Sequence, residues 1–353
     1  MVSSTNDNRT ILITGANGLV GSHLVRRYLS ADWSVLALHR PGSDLQLLAD
    51  VREQVTWVEG DILDVPSLEA AIQPGMDVIH AAAIVSFVPR DRGRMEKVNV
   101  EGTANVVNVC LSAGVRKLGF VSSVAALGRP NRTLQSNAAP VVIDETQKWE
   151  ESPNNSFYAQ TKYRAELEVW RGIAEGLPAI IVNPSVVLGE GDWERSSSQL
   201  FRYAYDERPF YTDGLTNLVD VRDVAEALFR LMESPIVAER FVLNAATMPY
   251  RELLDRMADA FGRKRPYIRI APALTQIIWR MEAIRSLITG KAPLITRETA
   301  RSASRAYRFD GRQVVERLAA GGVRFSYHEP EETIRRIAAY YTAWASRPAK
   351  ATL

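Results

Sequence analysis

The sequence predicts an α/β protein: a doubly wound parallel sheet followed by a smaller, mostly helical C-terminal part. Three observations predict it. Short β-rich apolar runs alternate with helical patterns through the first half. A glycine-rich turn follows the first of those runs. The alternation stops after Pro184, and from Tyr250 onward the chain turns helical and rich in Arg.

Residues 10–14 (TILIT) read as a buried strand and residues 19–29 as a helix. Strands follow at 34–38 and 55–59, then a short helix at 66–72 and a strand at 77–81. One long helix is expected over 94–113, a strand over 117–122, a helix over 158–174 and a strand over 179–182. Such alternation implies βαβ units and a parallel sheet with helices on both faces. Residues 217–233 (NLVDVRDVAEALFRLME) end a strand, begin an amphipathic helix and return the chain to the sheet. Residues 1–184 thus form one domain, rejoined near 214–245. Residues 185–353 form a substrate region against the carboxyl edge of the strands, where open α/β sheets bind ligands.

Composition excludes several function classes. The 353 residues are 46% apolar and 24% charged, ordinary for a globular chain. Basic residues number 43 and acidic ones 41, so net charge gives no reason to expect nucleic acid as a partner. The one cysteine, Cys110, falls in a helical apolar run and reads as a buried hydrophobe. No window reaches the roughly 20 apolar residues a membrane span needs, and the polar N-terminus lacks a leader-like apolar stretch. A cytoplasmic protein, monomer or homodimer, is expected; no residue is assigned to a metal.

The turn Thr14-Gly15-Ala16-Asn17-Gly18-Leu19-Val20-Gly21 joins the first strand to the first helix. Gly15 permits a tight turn, Gly18 a close approach of backbone to pyrophosphate, and Gly21 close helix–strand packing. The helix N-terminus adds free N–H groups and a positive dipole end. Thr14, Gly15, Asn17, Gly18, Leu19, Val20 and Gly21 are therefore candidate contacts to a dinucleotide. NAD enzymes commonly place an acid after the second strand for the ribose 2′-hydroxyl. Here the chain reads Leu38-His39-Arg40-Pro41-Gly42-Ser43. Arg40 can pair with a 2′-phosphate, which favours NADP over NAD; His39 is a bystander. After the third strand, Asp61 (followed by Ile62) can accept from an adenine amine. After the fourth, Ala81, Ala82 and Ala83 let a cofactor lie against the backbone.

Tyr158 and Lys162 stand four apart on one predicted helix face. A phenol with a reference pKa of about 10 needs roughly 4 kcal/mol of help to act near neutrality. An ammonium one turn away, with a cationic nicotinamide ring, can supply it. Ser122 and Ser123 end the fifth strand on the same sheet edge, where a serine hydroxyl can hydrogen-bond a substrate carbonyl.

Together TGANGLVG (14–21), GDILD (60–64), HAAA (80–83), NVEGTANV (99–106), FVSSVAALG (120–128), YAQTK (158–162) and NPSVVLGEG (183–191) resemble the extended short-chain dehydrogenase/reductase family. The resemblance spans the whole Rossmann part. It implies Ser123 as the catalytic serine with Ser122 beside it, Tyr158 as general acid/base and Lys162 as its partner. Asn99 matches the asparagine on the helix behind the site. Pro184 and Ser185, with Val187, match the stretch that closes over the nicotinamide. Two subgroups compete. One resembles dihydroflavonol reductases and 3β-hydroxysteroid dehydrogenases, the other sugar-nucleotide epimerases and dehydratases that retain NAD. The absent acid after the second strand, the absence near Asn217 of an arginine many sugar-nucleotide enzymes carry, and PLITRETARSA (293–303) favour the reductase side. A non-enzymatic NADP sensor is also conceivable on this fold, but such proteins usually lack the tyrosine–lysine pair.

Residues 274–288 (LTQIIWRMEAIRSLI) read as an apolar-basic helix, either core or pocket lining, with Arg280 and Arg285 solvated. Glu145 reads as a loop anchor or a plain surface acid. The predicted helices at 94–113 and 158–174 offer a four-helix dimer interface.

Overall fold

The computed structural model describes residues 9–129, 140–193, 196–270 and 307–346. Seven strands form one sheet: β1 (Thr10–Thr14), β2 (Ser34–His39), β3 (Thr56–Glu59), β4 (Asp77–His80), β5 (Lys117–Val121), β7 (Ala179–Pro184) and β11 (Glu239–Leu243). Their order is β11-β7-β5-β4-β1-β2-β3, with every neighbour parallel. The order reverses between β1 and β4, which opens a crevice at their carboxyl ends.

Period-2 side chains supply both layers. From β1, Ile11 and Ile13 face one apolar layer and Leu12 the other. The first layer packs α1 (Leu19–Leu29) and α7 (Val221–Glu233) through Leu24, Tyr28, Val224 and Leu228. The second packs α2 (Val65–Ala71), α4 (Gly102–Ala113) and α5 (Phe157–Ala174) through Leu68, Val106, Cys110, Ala165 and Val169. Cys110 is fully buried, and burial pushes its thiol up to about 12.

Two expectations change. The helix predicted over 94–113 is interrupted. A short α3 (Arg92–Met95) runs into a π-helical stretch, Glu96–Glu101, before α4 begins. The wider turn carries Asn99, whose side chain is held across the crevice as described below. The predicted return to the sheet also divides. Strand β10 (Leu215–Asp220) joins a separate three-stranded sheet between β8 (Val186–Leu188) and β12 (Ala246–Pro249). Only after α7 does β11 pair with β7.

Beyond the main sheet lie α6 (Gln199–Tyr205), α8 (Tyr250–Ala260), α9 (Arg312–Ala320) and α10 (Pro330–Ala345). Leu188, Phe201, Leu253, Met257, Ile334 and Ile337 form a core of α6, α8 and α10 with β10, whereas Val314 and Leu318 of α9 pack into the first layer of the main sheet. A two-stranded pair, β6 (Val141–Ile143) with β14 (Tyr307–Phe309), is tied to β10 by Asn217, whose Nδ2 donates to the Tyr307 carbonyl at 2.9 Å. Among the described residues no helix is long and apolar enough to cross a membrane. The segments at 274–288 and 293–303, with Arg280 and Arg285, lie outside the described residues.

Candidate functional site

The loops after β1, β4, β5 and β7 meet at the carboxyl edge. Gly15 takes φ +67°, and a Cβ there would stand 2.6 Å from the Ala82 nitrogen. A Cβ at Gly21 would collide with the Gly15 carbonyl. These two positions hold the turn close against both β4 and α1. Gly18 caps α1 without a side-chain cap, so first-turn N–H groups remain available to an anion. These features fit a pyrophosphate cradle. Asn17 turns sideways: its Nδ2 donates to the Asp44 carbonyl at 3.1 Å and ties the loop after β2 to the glycine turn. Leu19 and Val20 are partly buried at the start of α1.

Arg40 is exposed, and among the described residues its guanidinium has no hydrogen-bond or ion-pair partner. His39 packs edge-on against Trp57. Asp61 accepts from the Leu63 amide at 2.9 Å through Oδ1. Ile62 is buried against α4. Ala81 and Ala82 are partly buried and Ala83 is exposed.

A continuous hydrogen-bond chain runs from the glycine turn to the tyrosine helix. The Thr14 hydroxyl lies 2.7 Å from His80 Nδ1, and His80 Nε2 lies 3.0 Å from Thr103 Oγ1. Thr103 donates to the Asn99 carbonyl at 2.6 Å. Asn99 Nδ2 donates to Ile84 O at 2.9 Å and to Thr161 Oγ1 at 3.1 Å, while its Oδ1 accepts from Ile84 N at 2.7 Å. Thr161 in turn donates to the Tyr158 carbonyl at 2.8 Å. Thr103 already spends its proton on Asn99, so His80 must donate from Nε2 and accept at Nδ1. That is the neutral tautomer, and burial pushes His80 down to about 3. Thr14 is thus buried in this chain.

Tyr158 and Ser123 meet, the serine hydroxyl near enough to act on the phenol. Phe87 packs edge-on to the Tyr158 ring at 6.1 Å. Among the described residues, Lys162 is not one of the groups that act on the phenol. Burial pushes Tyr158 up to about 12, and Ser123 is the one group opposing it. Lys162 Nζ instead donates to the Val121 carbonyl at 2.9 Å and lies 4.6 Å from the Phe120 ring centre. Burial brings it down to about 8, against the opposing pull of Glu166.

Ser122 turns its hydroxyl to Glu166 Oε2 at 2.8 Å. Pro184 and Ser185 are buried, and among the described residues the Ser185 Oγ has no hydrogen-bond partner. Val187 is partly buried against the sheet core. Sequence reasoning missed Glu166, Arg240 and Asn183, which stand behind Ser122 and Ser123. It left Glu145 open. The structure makes it an anchor, with Oε1 accepting from the Val242 amide at 2.7 Å and burial raising the carboxyl above its usual range. A separate cleft of about 650 Å³ is lined by Leu215, Asn244, Thr247, Phe309 and Tyr327, and none of the candidate catalytic residues borders it.

The family model described as NAD dependent epimerase/dehydratase matches residues 11–244. Cinnamoyl-CoA reductase 1 of Oryza sativa subsp. japonica is 30% identical over 275 residues, 74% of this chain and 78% of that one. Sterol demethylase protein B of Methylococcus capsulatus is 30% identical over 271 residues, 76% and 79% of the two chains. The crystal structure of gox2253 superposes with a TM-score of 0.78 at 29% identity, covering 96% of this chain and 99% of that one.

Proposed function

The chain belongs to the NAD dependent epimerase/dehydratase family, among the extended short-chain dehydrogenases/reductases and their NAD(P)-dependent enzymes, and we propose that it reduces a carbonyl, or oxidises the matching alcohol, with Tyr158 as general acid/base. The observation that carries this reading is the meeting of Ser123 and Tyr158, both partly buried at the carboxyl edge, with Lys162 on the same helix. Two adjacent hydroxyls can grip one oxygen: Ser123 orients it and Tyr158 gives or takes its proton.

The dinucleotide would be held by the Gly15–Gly21 turn, the first turn of α1, Asp61 and Ile62, the Ala81–Ala83 backbone, Ser122, and the 184–187 stretch, with Lys162 on its ribose. The nicotinamide ring supplies or accepts the hydride. Within the chain, Lys162 brings a cation to the dry side of Tyr158, where a charge counts for more than in water. Asn99 fixes the Ile84 backbone beside the site. Arg40, free of any acid, receives the 2′-phosphate of NADPH. Relatives named as a cinnamoyl-CoA reductase and a sterol demethylase protein support a carbonyl or alcohol substrate over a retained-NAD epimerisation.

Three measurements test this. Tyr158→Phe should bind cofactor as the parent does and lose turnover by ~10²–10⁴-fold; full turnover would sink the assignment. Fluorescence titration should favour NADPH over NADH, and equal affinities would deny Arg40 its role. A panel of aldehydes and ketones should consume NADPH. Tightly copurified NAD and interconversion of UDP-sugars without net oxidation would instead identify an epimerase.

A further inference from the structure

Glu166 lies one helical turn beyond Lys162 and is 2% exposed. Its carboxylate takes four donors. Ser122 Oγ and Asn183 Nδ2 reach Oε2, each at 2.8 Å. Arg240 Nη1 reaches Oε1 at 3.0 Å and Trp170 Nε1 at 3.4 Å. A carboxylate buried this deeply is expensive unless its charge is both paired and hydrogen-bonded, and here it is both. The partners come from β5, β7, β11 and α5. Arg240 also donates to the Glu145 and Gln147 carbonyls, each at 2.6 Å through Nη2, and so reaches the segment that leads into the tyrosine helix. Asn183 Nδ2 donates a second time, to the Ser123 carbonyl at 3.0 Å. The peptide that presents Ser123 is therefore clamped on its side-chain and main-chain faces by a network centred on Glu166.

We propose that Glu166 is a positioning residue for the reaction: through Ser122, Asn183 and Arg240 it fixes Ser123 against Tyr158, and it sets a carboxylate one helical turn from Lys162.

The second half follows from what surrounds the lysine. Phe120 and the Val121 carbonyl face it from β5. His80 faces it from β4 and is neutral. Tyr158 and Glu166 share its helix, and Arg240 approaches from β11 on the far side of Glu166. Among the described residues, Glu166 is thus the one nearby group whose charge favours the ammonium, against the burial that disfavours it. The proposal rests on Tyr158 and Lys162 acting as described above.

The test compares Glu166→Gln and Glu166→Asp, with NADPH titrations from neutral to alkaline pH and NADPH oxidation using cinnamaldehyde as carbonyl probe. E166Q keeps the shape and loses the charge. Its turnover should fall ~10–100-fold, the scale of a small misplacement of reacting groups. The alkaline limb of NADPH affinity should move down by about one pH unit, a charge effect that loosened packing would not produce. E166D keeps the charge and withdraws it by one methylene, so turnover should fall while the alkaline limb stays in place. It also carries the test should E166Q fail to fold. An unmoved alkaline limb in E166Q, or full turnover in E166D, overturns the proposal. An unmoved limb beside an inactive Tyr158→Phe removes this inference alone. Full turnover by Tyr158→Phe removes the reading beneath it.

Discussion

At Gly15 two requirements coincide in one residue. The backbone sits in the left-handed region, and the missing Cβ lets the turn touch Ala82. Gly15→Ala meets both penalties. The dihedral strain alone is about 1–3 kcal/mol, and the collision is with backbone that cannot swing aside. The expected result is a lower Tm and loss of NADPH binding, read by thermal melting and fluorescence titration. An alanine variant that binds NADPH normally would contradict the cradle. At this scale the sequence was readable where chemistry is local. The glycine turn and the Tyr158–Lys162 spacing each lie within one short segment. Glu166 was opaque because what gives it meaning is remote: Ser122 is 44 residues away and Arg240 is 74. The contacts of Tyr158 and Lys162 were opaque for a related reason. A spacing of four shows that two groups can meet, but burial and Val121 decide what each does.

Among the elements, the π-helical stretch matters most, because the wider turn carries the residue that holds Ile84 at both its N–H and C=O. Asn99→Ala strands both of those groups. Ile84 is partly buried, so each stranded group costs toward the low end of the about 1–3 kcal/mol of an unpaired buried polar group; the melting temperature should drop and exchange of the Ile84 amide should accelerate. Hydrogen exchange that leaves Ile84 as protected as before would show that the clamp does not hold the segment. The helix period over 94–113 was visible in the sequence. The extra residue in the turn was not, since apolar spacing tolerates a single insertion without losing its face. Helix α10 presents a second case. Arg336 pairs with Asp220, which is fully buried, at 3.0 Å and with Glu190. Arg336→Met leaves the buried Asp220 with Arg222 as its remaining cation and the partly buried Glu190 with His23, a loss toward the low end of the ~3–5 kcal/mol of a broken buried pair. Stability near that of the parent in urea would show the network to be dispensable.

Across the whole molecule, acid should weaken the seam between the main sheet and α10. Burial opposes ionisation of Glu190 and Asp220, yet their arginine, histidine and threonine partners win and bring both down to about 2. Folded values below the unfolded ones mean stability that is present above about pH 4 and is lost as pH falls toward about 2. Acid melts should therefore show a carboxylate-dependent loss in that window, and one muted in Asp220→Asn. Cutting the chain before Pro330 removes Ile334, Ile337 and Tyr341 from their core. At about 1.5–3 kcal/mol for each buried side chain, that is a large part of an ordinary domain's 5–15 kcal/mol, so the truncated chain should aggregate on size exclusion. The parallel sheet was legible because every βαβ unit repeats the same local pattern. The three-stranded side sheet was not, since its pairing of β10 with β8 and β12 joins short strands without a repeating signal.

The chain from Thr14 through His80 and Asn99 to Tyr158 has a polarity. Every donor along it points toward the tyrosine helix, and it ends on a backbone carbonyl, which has no proton to pass on. It is a strut that cannot serve as a proton wire. A proton leaving or reaching Tyr158 must take another route. In the cofactor-free protein, of His80, Lys162 and Tyr158, only the lysine changes charge between about 3 and about 12. The centre then behaves as a single-proton device, and a titration of these three groups followed by NMR should show one step there, near 8.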